Sequence, residues 1–130
     1  MASARLMRLL SRLAARDLAA AERRAAEAAA NLRAMARNVS VLEAYTRDLS
    51  SALAETAQSG YDFAVTMGFR SSGIKATGDA AVAMDRGQGL QRAAFDRLAI
   101  ELQRRDAIAT ASDAIAAEAE RVRARAEDRK

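Results

Sequence analysis

The chain contains no proline, and its six glycines all fall between Gly60 and Gly89. These two residue types end helices most sharply. Two stretches, roughly 4–58 and 90–128, therefore carry no breaker at all. In the first, Ala21, Ala25, Ala28, Leu32, Met35, Val39, Leu42, Thr46, Leu49, Leu53 and Thr56 alternate steps of four and three. That is the spacing of a coiled-coil seam. Further back, Leu6, Leu10, Ala14 and Leu18 step by four, which predicts a phase shift of the kind a stutter makes. In the second stretch Ile108, Ser112, Ile115, Ala119, Val122 and Ala126 keep the alternation, preceded by Phe95, Leu98 and Leu102. The pattern predicts an all-α fold, a two-helix antiparallel coiled-coil hairpin occupying 1–130 as a single unit.

The reversal point is less sharply written. Ser59–Gly60 makes a reasonable helix stop, GFRSSGIKATG (68–78) has the composition of a turn, and Asp79 is a good N-cap for the residues behind it. The expectation is a first arm over about 4–58, a glycine-containing irregular connection over about 59–79 and a second arm over about 79–128. Gly87 and Gly89 thin the start of that second arm, which becomes secure from Leu90. The rival reading is a continuous helix from Tyr61, with the apex at Gly60.

Composition removes several classes of function. Hydrophobic residues make up 51% of the chain, but much of that is alanine, which favours helix and buries little. Aromatics are only 4%, thin for a compact globule. Without cysteine or histidine there is no disulfide framework, no thiol chemistry and no usual ligand set for zinc or copper. No metal and no cofactor is expected. Gly68 to Thr77 faintly resembles a phosphate-binding loop, yet Ile74 and Ala76 interrupt it and no strand precedes it. Carboxylates are scattered beside arginines and serines have no histidine partner, so no catalytic residue is expected and the chain does not read as an enzyme.

No apolar run approaches the ~20 residues that span a bilayer. The opening MASARLMRLLSRLAAR lacks the apolar core of a secretory signal. It shares an Arg-rich, acid-free composition with mitochondrial transit peptides, but runs smoothly into the helical pattern behind it. A cytoplasmic protein is expected, with peripheral association at an inner membrane as a further option.

Charge placement is more informative. Arg5, Arg8, Arg12 and Arg16 put +4 into the first sixteen residues, which matches the net charge of the whole chain. Arg8, Arg12 and Arg16 form an i, i+4 ladder, and Arg121, Arg125 and Arg129 form another. Like charges at that spacing repel, and the N-terminal set opposes the helix dipole. In an antiparallel hairpin both ladders fall at the open end, where they suit an acidic protein partner. The alternative is solvated arginines from a GC-rich genome, since 19 of the 21 basic residues are Arg. Leu6, Leu9, Leu10 and Leu13 beside the first ladder also suit an anionic membrane surface. Nucleic acid fits less well, because no aromatics interleave with the cations.

The element Leu42-x-x-Tyr45-x-x-Asp48-Leu49, a basic N-terminus, an unbroken first arm, a broken middle and an Ala/Arg-rich second arm opening on Phe95 and Leu98 resemble the FliJ family. These are small coiled-coil proteins of the flagellar type III export apparatus, similar to the stalk proteins of virulence secretion systems. Family members often carry a second aromatic after the acid, where this chain has Leu49. The aromatic–leucine pair also tends to lie closer to the tyrosine, which makes Phe69 the rival counterpart of Phe95. The resemblance implies a stalk that enters the export ATPase ring, contacts the export gate and recycles substrate chaperones. It places Leu42, Tyr45 and Leu49 in a gate-contacting patch and the arginine-rich open end toward the ATPase. Leu42 and Leu49 are also seam positions, so Tyr45 is the residue of the three expected to stay partly exposed.

Overall fold

The computed structural model describes residues 2–55 and 60–129. They form two helices, α1 (Ala2–Glu55) and α2 (Gly60–Asp128), packed against each other as an antiparallel hairpin; there is no strand among the described residues. Thr56 of the predicted seam and Ser59 of the predicted stop lie outside the described residues. The paired helices divide into two compact units, one of Met1–Ala26 with Ala93–Lys130 and one of Glu27–Arg92.

In the Glu27–Arg92 unit, α1 presents the expected seam. Val39 and Leu53 are buried, and Leu32, Met35, Leu42, Thr46 and Leu49 are half-buried. The partner face of α2 is unexpected. Its least exposed residues are Thr66, Arg70, Gly73, Thr77, Ala80, Met84, Gly87 and Gln91, again in alternating steps of four and three. Small and polar residues face α1, while Phe69, Ile74, Val82 and Leu90 stay exposed. Direction follows from three cross-helix neighbours. Gly87 lies against Leu32 and Met35, Gly73 against Tyr45 and Thr46, and the Arg70 Nε donates to Ser50 Oγ at 3.0 Å. As α1 advances, α2 retreats.

The expected irregular connection over 59–79 is corrected here: Gly60 to Asp79 is helical, and Asp79 is mid-helix rather than an N-cap. Each glycine costs a helix up to about 1 kcal/mol relative to alanine, a penalty that packing can offset. No glycine in α2 has a positive φ, so none is used to turn the chain. Two of them allow close approach instead. A Cβ at Gly73 would come 2.9 Å from Thr46 Oγ1, and one at Gly87 would come 2.9 Å from Met35 Sδ. Thr46 and Ser50 satisfy their hydroxyls locally, donating to Leu42 O and Thr46 O at 2.9 Å, so polar side chains sit in the seam without orphaned donors.

In the other unit, Ala14, Leu18, Ala21 and Ala25 of α1 are buried. On α2 the seam runs through Ala94, Leu98, Glu101, Ile108 and Ser112. The expected step from Leu98 to Leu102 is therefore drawn one residue late: Glu101 is the buried side chain, at 1% exposure, and Leu102 is half-buried. Glu101 does not pair with Arg105, although the i, i+4 spacing would suit it. Glu101 faces Arg97 and Arg104, and Arg105 turns to Asp106. Arg104 also reaches across to Asp17 of α1 at 3.6 Å. Toward the start of α1, Met7 and Leu10 are half-buried and Leu6 is exposed. Leu10, Ala14 and Leu18 step by four on the inner face as expected, and Met7 takes the place expected for Leu6.

Candidate functional site

Two surfaces gather the residues singled out by sequence, one in each unit. The first lies where α1 begins. Ser3 shares a shallow concavity with Ile115, Glu118, Ala119, Val122, Arg123 and Ala126, which sets the level at which the two helices meet there. With Asp17 opposite Arg104, the same antiparallel register places the last turns of α2 beyond Ala2. Every described residue from Asp113 onward is exposed, including Ile115, Ala119, Val122 and Ala126, which were expected in the seam. They have the right phase, but this end of α2 buries little against the opening turns of α1.

Arg8, Arg12 and Arg16 are exposed on α1, and Arg121 and Arg125 on α2 with Arg129 in the turn after it, so both ladders belong to this unit and meet solvent. Arg121 is held by Glu118 at 3.6 Å. Arg5, Arg8 and Arg12 line a concavity of about 430 Å³ with Leu9. Leu6, Leu9 and Leu13 are exposed at 55%, 53% and 43%, whereas Leu10 turns toward α2. The four leucines that sequence grouped together are thus divided between an inner and an outer face. Phe95, also in this unit, is exposed, and Leu98 beside it enters the seam.

The second surface flanks the seam of the Glu27–Arg92 unit. Tyr45 is 46% exposed, while Leu42 and Leu49 turn inward. The expected three-residue patch is therefore reduced to its tyrosine, because the leucines occupy the alternating seam positions and Tyr45 lies beside them. The tyrosine ring lies over the Gly73 backbone, with Cδ1 3.7 Å from where a Cβ would stand. On α2, Phe69 precedes Gly73 by one turn and is exposed; on α1, Val41 precedes Tyr45 by one turn and is more exposed still. Glu43, Thr46 and Arg47 line an apolar groove of about 330 Å³ with Ile74 and Thr77. Glu43 and Ile74 mark one flank of the seam, and heptad geometry puts Tyr45 and Phe69 on the opposite one.

No family model, curated protein or solved structure matches the chain. Its chemistry must be argued from these two surfaces. Among the described residues no three carboxylates gather into a metal-holding group, and no helix is long and apolar enough to cross a membrane.

Sequence reasoning missed Glu101 as a core residue and the small-residue face of α2 that leaves Phe69 exposed on Tyr45's flank. A signal for each existed. Extending the four–three alternation backward from Ile108 meets Glu101, Leu98 and Ala94, then Gln91, Gly87 and Met84. It was masked because those seam residues are mostly small or polar.

Proposed function

We propose that the chain is a non-enzymatic stalk and chaperone-escort component of a flagellar-type protein export apparatus. In this reading the arginine ladders dock on the export ATPase ring and the Tyr45 flank on the export gate. It would act in the cytoplasm, peripherally at the inner membrane. The observation that carries the reading is Tyr45 itself. It is an amphipathic ring left half in water on the flank of an otherwise self-satisfied seam, with exposed Val41 one turn before it. Such rings are favoured anchors at protein interfaces, since they bring large area at low conformational cost.

Two co-purification assays test it, one with the cognate secretion ATPase and one with the cytoplasmic domain of the export gate. Tyr45→Ala is expected to abolish gate capture while leaving helicity intact. Neutralising Arg8, Arg12 and Arg16, together with Arg121, Arg125 and Arg129, is expected to abolish ATPase capture. Failure of the unmodified chain to capture either partner, or capture indifferent to these substitutions, would overturn the reading.

A further inference from the structure

We infer that the opening turns of α1 form a docking surface for an anionic lipid bilayer. Leu6, Leu9 and Leu13 recur at i, i+3 and i+7, and all three point away from α2. Pairing has already taken what it needs from this segment, because Met7, Leu10 and Ala14 supply the inner face. The outer leucines are therefore available without opening the hairpin. Beside them stand Arg5, Arg8 and Arg12 around Leu9, and Arg16 one turn beyond Arg12.

Charge identifies the occupant. No acid precedes Asp17, whose carboxylate is engaged by Arg104. Across the pair, Asp113 and Glu118 offset the cations only in part, and Glu118 is itself tied to Arg121. Nucleic acid would neutralise the arginines but leave three leucines in water, and no aromatic is present to stack on a base. An acidic protein surface would need a matching apolar groove among its carboxylates. An anionic bilayer supplies both partners in one plane: acyl chains for the leucines and headgroup phosphates for guanidinium groups that reach sideways on long stems. Because no helix can cross a membrane, the segment lies on the surface.

The inference does not rest on the export reading and competes with its ATPase contact for Arg8, Arg12 and Arg16; vesicle flotation and ATPase capture read the two separately. The test is co-flotation of the full chain with vesicles of mixed phosphatidylglycerol and phosphatidylcholine, against phosphatidylcholine alone. Binding is expected only to the anionic vesicles, weakening as salt rises. Leu6, Leu9 and Leu13 together replaced by Ser should weaken it about tenfold or more, with unchanged helicity. Each Arg→Gln at positions 5, 8 and 12 should weaken it about fivefold. Absence of flotation at low salt, or equal binding to neutral vesicles, overturns the proposal. So does binding that survives the leucine substitutions, or retention on polyglutamate without vesicle binding.

Discussion

Six glycines in one helix behave differently according to what stands opposite them. Gly78 and Gly89 have nothing within 4 Å of a prospective Cβ and an ordinary helical φ. Replacing each with Ala removes only the entropic cost of glycine, so stability should rise by roughly 0.5–1 kcal/mol per site, read from urea unfolding. Gly73→Ala should go the other way. The new methyl meets Thr46 Oγ1, which its bond to Leu42 O holds in place, and relief costs about 1 kcal/mol. Gly87→Ala should fall between them, because the thioether of Met35 can swing aside.

Glu101 poses a sharper question of the same kind. Its Oε1 is 2.9 Å from Arg97 Nη2, yet the alignment makes an ion contact rather than a hydrogen bond, and the atom has no hydrogen-bond partner among the described residues. A buried carboxylate held this way is poor support for stability but costly to strand. Glu101→Leu should therefore stabilise by about 1 kcal/mol, and Arg97→Ala should destabilise by about 1–2 kcal/mol, both measurable as shifts in thermal midpoint.

The two helices differ in how they use apolar residues. α1 turns its large residues inward, so Leu53→Ala should cost about 2 kcal/mol or more through the cavity it leaves. α2 turns many of its large residues outward, so Leu90→Ala, at 68% exposure, should change stability by less than about 0.5 kcal/mol. Equal losses at the two leucines would contradict the orientation described for α2. This contrast also explains what could be read in advance. The seam of α1 was legible because Leu32, Val39, Leu42 and Leu53 carry both the spacing and the bulk. The seam of α2 carries the spacing without the bulk: Gly73 and Thr77 look like loop residues and Ala80 and Gly87 like a weak helix start, while Phe69 and Ile74 look like core and are not. Glycine signals a turn only when nothing nearby rewards a straight helix, and here the close approach of Thr46 and Met35 does so. The site was legible for the same reason it was incomplete. Tyr45 and the arginines announce themselves by type, but Phe69 stays exposed because the seam of α2 passes through small and polar residues instead.

Taken as one molecule, the chain keeps an accessible surface of 9860 Å². A folded globule of 13.9 kDa would keep about 6,700 Å². Less surface is hidden on folding, so the urea m-value should be smaller than that of a globular domain of equal length. Charge is also unevenly shared. The unit of Met1–Ala26 and Ala93–Lys130 holds fourteen basic and ten acidic residues, and the Glu27–Arg92 unit holds seven of each. Ionic strength should therefore modulate whatever the first unit binds far more than whatever Tyr45 binds. Hydrogen exchange should follow burial, with amides over 113–129 exchanging before those over 14–25 and 39–53.

The final turns of α2, exposed at every described residue from Asp113 onward, are rich in alanine, glutamate and arginine and bury little against α1. So short a piece holds its shape only marginally in water. Its helicity becomes a quantity that a visitor can set: whatever grips Arg125 or Arg129 also decides how far the coil stays wound, making those turns a reporter of occupancy as much as a handle.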